Sequence, residues 1–386
     1  MSQPPGFKDH HHPLKVCRLH KSLYGLKQAP KAWNDMFTSF LPTLGLHNTY
    51  ADSSLFVKSS GSSLMILLLY IDDIILTGND TQMIAQVITD LTKEFDLKDL
   101  GSLHYFLGIQ ITRTAEGLFL SQEKYVHDLL KKTEMLESKP CATPCLPYNR
   151  LLKDDGDPFN NPTLYRSIVG ALQYLVFTRP DIAFSVYQVC QFMQSPMASH
   201  YLAVKRILRY LKGTMTHGIR YTKGSLTLRS FSDADWAGDP NDRRSTTGLV
   251  VFLGNNPISW ASKKQQTVLR SSTEAEYRPL SSTAAELDWL QQLKLVLYPN
   301  GNKTRRGMWR AKSLLTGWEV YVDFRFFLLD QKKGYVNEKE KCFHGIMPYS
   351  GFDQFVPLKA FTNASNGYLM EDMYLERTFL FVKKEE

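Results

Sequence analysis

The sequence predicts an α+β chain of several domains, and three observations carry that prediction. An apolar run from Leu67 to Gly78, interrupted by the adjacent acids Asp72 and Asp73, reads as two strands joined at a turn. Residues 165–175 and 200–211 repeat apolar side chains at helical spacing. After Gln292, short aromatic segments alternate apolar and polar residues at the strand period. The 386 residues suffice for two or three domains, at about 150 residues each. A hydrophobic content of 43% excludes wholesale disorder, and the net charge of +8 favours an anionic partner such as nucleic acid. Five cysteines, an odd number, argue against a secreted disulfide framework. Cys141 and Cys145 flank Ala-Thr-Pro without a second ligand pair, so no zinc site is expected. His10-His11-His12 reads as a solvated run. The opening residues lack the apolar core of a signal peptide. The Leu64–Leu76 run is too short for a bilayer and carries two acids, so an intracellular chain with no membrane partner is expected.

The first 150 residues are organised around Asp72-Asp73. Burying two like charges side by side is costly unless cations neutralise them. A pair of divalent metals is one recurring solution, used for phosphoryl chemistry; an Asp-rich surface turn is the alternative. Upstream, Cys17 to Trp33 mixes basic residues with Tyr24 and Trp33, punctuated by Gly25 and Pro30. An amphipathic helix follows through Trp33, Met36, Phe37 and Phe40. The basic-aromatic interleaving suits nucleic acid, and an ordinary solvated helix face explains the spacing equally well.

Several phrases in fixed order decide between these readings. They are Gln3-Pro4-Pro5-Gly6-Phe7, Lys21 to Pro30 (Lys-Ser-Leu-Tyr-Gly-Leu-Lys-Gln-Ala-Pro), Asp52 to Phe56, Tyr70-Ile71-Asp72-Asp73, Lys98 to Ile109 and Leu120 to Tyr125. Together they resemble the reverse transcriptase of copia-type LTR retrotransposons. The resemblance implies a partial polymerase palm and thumb-like part over residues 1–150. It makes Asp72 and Asp73 ligands of Mg2+ or Mn2+, with RNA or DNA as partner. Lys27 and Gln28 would lie near template and incoming nucleotide. The family's other catalytic aspartate precedes the Gln-Pro-Pro-Gly-Phe phrase, at which this sequence starts, so no autonomous polymerase activity is expected.

Residues 151–225 follow a Pro- and Asp-rich linker and resemble the family's connection region, including Thr178-Arg179-Pro180-Asp181-Ile182. The cations Lys205, Arg206, Arg209 and Lys212 sit on the predicted helix, either tracking phosphates or forming a solvated face. Over residues 226–292, Leu226-Thr227-Leu228-Arg229 leads into Asp233 and Asp235 on one strand face. Two further strands follow, then a helix opening at Ser271-Ser272-Thr273-Glu274-Ala275-Glu276, with Ser272 or Thr273 as N-cap. This pattern resembles a truncated ribonuclease H-like α/β module. The resemblance makes Asp233 and Glu276 metal-binding acids and leaves Asp235 and Glu274 as capping or surface residues. Pro279, where the family usually has Ala, predicts a kinked helix costing about 3 kcal/mol. The family's two later acids find no match, so no cleavage of RNA–DNA hybrids is expected.

Residues 293–386 change character, with strands predicted at Trp318–Leu329 and Thr378–Val382 and turns at Asn300-Gly301 and Asn366-Gly367. Leu295 to Lys303, Gly317 to Val320, Gly351 to Leu358 and Asn363 to Leu369 resemble the plant-type MATH domain (meprin and TRAF homology). That family implies a partial antiparallel TRAF-like β-sandwich binding short peptides, with Phe352 as the candidate contact. One expected strand between Lys303 and Gly317 is replaced by the basic stretch Arg305 to Lys312. Three functions remain in view: an active reverse transcriptase, a MATH adaptor, and a retrotransposon-derived chimera in which neither activity is intact. The third is preferred.

Overall fold

The computed structural model describes residues 3–18, 25–147 and 150–297, with the backbone of three short strands at 309–313, 319–322 and 380–384. The described chain mixes helices with mainly antiparallel sheets, an α+β architecture. It divides into two compact units, one of residues 1–49, 53–101 and 379–386 and the other of residues 50–52 and 102–378. No described helix is long and apolar enough to cross a membrane.

The first unit opens with α1 (Ala29–Phe40), which carries Pro30 in its first turn, where the missing N–H has no helical partner to lose. The chain then forms β1 (His47–Asn48), β2 (Leu55–Ser60), β3 (Ser63–Tyr70) and β4 (Asp73–Gly78), an antiparallel meander. β3 is buried from Leu64 to Leu69 without alternation, the pattern of a strand covered on both faces. A Cβ on Gly78 would lie 2.5 Å from the Leu64 carbonyl oxygen, so the close strand pass there requires glycine. α2 (Thr81–Glu94) is capped by Asp80, whose carboxylate accepts from the Gln82 and Met83 amides at 3.0 Å each. Phe37, Leu41, Met65, Leu67, Ile74, Leu76, Ile84, Leu91 and Phe95 pack as one core between α1, α2 and the strands. β5 (Leu97–Ser102) ends this part of the chain.

The second unit joins β6 (Tyr105–Phe106), β7 (Ile109–Thr114) and β8 (Gly117–Ser121) to four helices. These are α3 (Glu123–Lys132), α4 (Pro162–Leu175), α5 (Ala183–Cys190) and α6 (Ala198–Gly213). β9 (Gly218–Thr222) then returns to pair with β8. The helices share a core that includes Leu130, Tyr165, Ile168, Leu172, Val186, Val204, Ile207 and Leu211. Arg179 is 2% exposed and its guanidinium forks onto Asp181 at 3.0 and 2.7 Å. It also donates to the Thr214 carbonyl at 2.9 Å and hydroxyl at 2.6 Å. The phrase around Pro180 is therefore an ion pair, buried on the arginine side, that ties the α4–α5 turn to the end of α6.

Three of the four α6 cations are tied to the preceding segment of the chain. Arg206 donates to the Thr143 hydroxyl at 2.7 Å, Arg209 to the Lys139 carbonyl at 2.6 Å, and Lys212 to the Leu136 carbonyl. In return the Cys141 amide and thiol bond the Arg209 and Arg206 carbonyls at 3.3 Å each. The three half-buried cations thus strap the proline-rich segment along the helix. Only Lys205 of the four predicted cations stays exposed, 5.0 Å over the Tyr201 ring.

A second sheet of this unit comprises β10 (Leu228–Ala234), β11 (Thr246–Leu253) and β12 (Asn256–Lys264), antiparallel throughout. α7 (Ser272–Leu297) packs against it. The N-cap is Ser271, not Ser272 or Thr273, because its hydroxyl accepts from the Glu274 amide at 3.1 Å. Glu274 turns back to accept from the Arg270 amide at 3.2 Å. Pro279 lies inside this helix, which runs on to Leu297. A proline at 279 deprives the Ala275 carbonyl of its usual partner. Gln265, buried beneath the helix, supplies a substitute: its side-chain amide donates to the Ala275 carbonyl at 3.0 Å and to the Thr247 hydroxyl at 3.0 Å.

The remaining strands are β13 (Trp309–Ser313), β14 (Glu319–Val322) and β15 (Leu380–Lys384). The basic stretch expected to replace a strand therefore contains one. β13 pairs with β14 and, in parallel, with β10, extending that sheet to the order β12-β11-β10-β13-β14. β15 joins the first unit's sheet between β4 and β5. Most of the residues assigned to a sandwich, Phe352 among them, lie outside the described ones.

Candidate active site

In the first unit the acid pair is built by a two-residue hairpin. Tyr70 and Asp73 are register partners, so Ile71 and Asp72 make the turn and Asp73 opens β4. Ile71 takes φ +52°, the left-handed region, where a β-branched residue is a strained outlier. Strain of this kind costs roughly 1–3 kcal/mol and persists where surrounding structure over-determines it. Here α1 supplies that structure. The Trp33 indole donates to the Ile71 carbonyl at 3.3 Å, and its ring packs on Phe37 and edge-on to Phe95 at centroid distances of 5.3 and 5.4 Å. Trp33 is thus a brace for the turn.

Asp72 and Asp73 are half-buried, less enclosed than the pattern of flanking leucines and isoleucines suggests. Lys27 and Gln28 are exposed and immediately precede α1. Because Trp33 lies on the same helix, the bond to Ile71 brings that helix start to the side of the sheet end that bears the acids. Asp80, a few residues beyond, is held below the usual carboxylate range by its bonds to the Met83 amide and the Ser63 hydroxyl. It serves the helix as a cap. Among the described residues no three His, Cys, Asp or Glu side chains are grouped as a complete metal site. The donor set at Asp72-Asp73 is nonetheless of the right kind for Mg2+ or Mn2+, which take hard oxygen ligands.

In the second unit Asp233 lies near the end of β10, opposite Gly248 of β11. Its Oδ1 is buried with no hydrogen-bond partner, a condition that ordinarily calls for an explanation such as a bound ion or water. Glu276 is buried in the first turns of α7. Their neighbours Ala234 and Ala275 join Leu269 in one apolar cluster, which brings the two elements together beside the acids. Asp235 follows the end of β10 and accepts from the Thr246 amide. Burial is the leading cause of its raised pKa, with Asp239 and Asp233 adding to the shift. Asp239 in turn is ion-paired to Lys264 at 2.5 Å, and Asp242 lies 2.9 Å from the same ammonium. That pairing holds the Asp239 carboxyl low against the opposing effect of burial.

Sequence reasoning missed the Trp33 brace, the Lys264 ion triad and the Gln265 bond. The signal for Trp33 was its helical spacing from Phe37. For the other two no local signal exists, since each partner is ten or more residues away.

Residues 1–147 match the reverse transcriptase (RNA-dependent DNA polymerase) family, and residues 268–375 match the MATH domain family. The retrovirus-related Pol polyprotein from transposon RE1 of Arabidopsis thaliana is 51% identical over 294 residues, covering 76% of this chain and 20% of that protein. An uncharacterized mitochondrial protein of Arabidopsis thaliana is 51% identical over 226 residues, 58% of this chain and 94% of its own length. A putative transposon Ty5-1 protein of Saccharomyces cerevisiae is 33% identical over 291 residues, 74% of this chain and 94% of its length. The chain spans about a fifth of the transposon Pol polyproteins of Arabidopsis that it matches.

Proposed function

Because the chain belongs to the family of copia-type retrotransposon Pol polyproteins, we propose that Asp72 and Asp73 supply one side of a two-metal phosphoryl-transfer centre. The observation that carries this reading is the braced turn: a strained Ile71, pinned by Trp33, presents two adjacent half-buried acids at a sheet end. Strain held in place by a dedicated contact is typical of functional turns. Divalent metal bound there would neutralise charge on a transferring phosphoryl group and orient the attacking oxygen. Lys27 and Gln28, at the exposed start of the bracing helix, are proposed to contact RNA or DNA.

One pair of adjacent acids does not clamp both metals of such a centre, which needs a carboxylate opposed to them. The chain is therefore proposed to bind metal and nucleic acid without extending a primer by itself. Asp233 and Glu276 are proposed as ligands of a second, ribonuclease H-like centre within residues 226–292, supported by the unpartnered Asp233 oxygen. Two acids leave that ligand set short as well, so hybrid cleavage is not expected. The later residues are proposed to bind short peptides, with Phe352 at the contact; the MATH match over residues 268–375 supports the class of partner, while the described strands β13, β14 and β15 belong to the sheets of β10 and β4.

The test is a primer-extension assay on the purified chain in Mg2+ and in Mn2+, beside a titration of Mn2+ binding. Binding is expected to weaken by about tenfold or more in Asp73→Asn, since even outer-shell partners of a metal are worth about 10–100-fold, and no extension is expected. Extension of a primed template would overturn the half-site reading, and binding indifferent to Asp73→Asn would overturn the metal assignment.

A further inference from the structure

The turn that joins β11 to β12 closes a cavity that is rich in donors. Leu253 and Asn256 are register partners, so Gly254 and Asn255 make the two-residue turn, with Gly254 at φ +60°. A Cβ on Gly254 would lie 2.3 Å from the Ser225 carbonyl oxygen, so glycine is required where the turn meets the segment that leads into β10. The cavity there measures about 300 Å3 and is lined by Ser225, Thr227, Arg229, Gly254 and Asn255, with no Asp or Glu among them. Its walls are held from three sides. The Gly254 amide donates to the Thr227 carbonyl at 2.9 Å, and Asn256 exchanges two bonds with the Thr222 backbone at 2.9 and 2.8 Å. From α7, the Lys294 ammonium donates to the Leu226 carbonyl at 2.7 Å.

Arg229 Nη2 donates to the Gly254 carbonyl at 2.6 Å and to Asn255 Oδ1 at 3.2 Å, which fixes the plane of the exposed guanidinium. A guanidinium has five N–H groups, so Nη1 and Nε keep donors beyond those two bonds. Asn255 gives its oxygen to the arginine and keeps its Nδ2 as a donor. The Ser225 and Thr227 hydroxyls lie 2.8 Å apart; one donates to the other, and the second proton remains for a ligand. A fixed guanidinium fork with amide and hydroxyl donors beside it matches the several acceptor oxygens of a phosphate. We propose that this cavity is a phosphate-binding site. A phosphodiester of RNA or DNA and free phosphate share that chemistry. The first source rests on the reading of nucleic acid as a partner. Arg229 and Asp233 fall on one face of β10, about 13 Å apart along the strand, so a polynucleotide seated at Arg229 can run along that face to the acid. The second source is independent of that reading and of every metal assignment.

The experiment uses the full chain, with calorimetric titration of inorganic phosphate at constant ionic strength and fluorescence anisotropy of a short labelled single-stranded DNA over a salt series. Arg229→Gln removes the charge. Asn255→Asp keeps the oxygen that Arg229 bonds and replaces the Nδ2 donor with a second acceptor. Lys223→Gln changes a nearby exposed cation outside the cavity. Phosphate affinity should fall about tenfold or more in both cavity variants, the size of a hydrogen bond to a charged group, and hold in Lys223→Gln. A nucleic-acid source shows as a parallel loss of DNA affinity in both, with a salt slope smaller by about 0.7 in Arg229→Gln. Loss of phosphate binding with DNA binding unchanged assigns free phosphate and removes the nucleic-acid source. If neither ligand's affinity depends on the cavity variants, the site is overturned. An equal loss in Lys223→Gln marks diffuse charge and overturns it too. Where hydrogen exchange over 249–260 shows that Arg229→Gln disturbs the turn, Asn255→Asp decides alone.

Discussion

The bond from Gln265 to the Ala275 carbonyl gives the sharpest test of how this chain carries a proline inside α7. In an uninterrupted helix the amide of residue 279 would bond that carbonyl; Pro279 has none, and Gln265 donates to it at 3.0 Å. Gln265→Leu keeps the bulk and removes the donor. It would leave a buried carbonyl without a partner, which costs about 1–3 kcal/mol. The Thr247 hydroxyl would lose its bond as well, adding about 1 kcal/mol. In a Pro279→Ala background the restored amide takes the Ala275 carbonyl, so Gln265→Leu should cost only the Thr247 share. The coupling between the two sites is therefore expected at about 1–2 kcal/mol. Peptide-resolved hydrogen exchange over 272–290 is the suitable assay, because it reads the local opening free energy of α7 in a chain of two units. Equal costs of Gln265→Leu in the two backgrounds, within about 0.5 kcal/mol, would refute the substitution of one donor for the other.

Two further expectations concern the helical core of the second unit. Arg179→Leu strips Asp181 and Thr214 of their shared partner and should lower the unit's unfolding free energy by about 3 kcal/mol, the lower part of the range for a broken buried pair given the partial exposure of Asp181; urea unfolding with an unchanged midpoint would sink this. His200 accepts from the Met197 amide through Nδ1 at 3.0 Å, meets the Leu152 carbonyl through Nε2 at 2.8 Å and stacks on Phe192. It is neutral in the fold, and burial lowers its pKa from the ordinary 6.5 against the smaller opposing effects of the Leu152 carbonyl and, less, of Asp155. A depressed histidine means that the unfolded chain takes the proton first. Its contribution is complete above 6.5 and declines as pH falls toward the lowered folded value. Exchange protection at 197–204 should decline over that window in the native chain and not in His200→Phe.

Periodicity and turn chemistry carried much of the architecture. The leucine and isoleucine run around Asp72-Asp73 read as two strands joined at a turn, and Trp33, Phe37 and Phe40 at helical spacing marked α1. Apolar repeats at 165–175 and 200–211 likewise became α4 and α6. What stayed hidden depends on partners distant in sequence. The α6 cations read as phosphate contacts or as a solvated face, because nothing local reveals that a segment 63 to 76 residues earlier brings a hydroxyl and two carbonyls to meet them. Pro279 read as a fault, because the cost of a proline is local while its remedy, Gln265, arrives from the end of the preceding strand. Half of the candidate site was legible as well. The acids were visible in their motif; the turn's strain and its indole brace were visible only in three dimensions.

The same distinction bears on how a Pol-family segment and a MATH-family segment coexist in one chain. A junction between unrelated modules is commonly a linker with few crossing contacts. Here β13, within the MATH-matching residues, pairs in parallel with β10, and β15, beyond that match, pairs antiparallel with β4. Sheet edges accept any strand of suitable length, since the ladder uses backbone groups that every residue but proline carries. Side-chain complementarity between the two ancestries is not required for such a union. An open edge on one side and a short β-branched or aromatic segment on the other are enough.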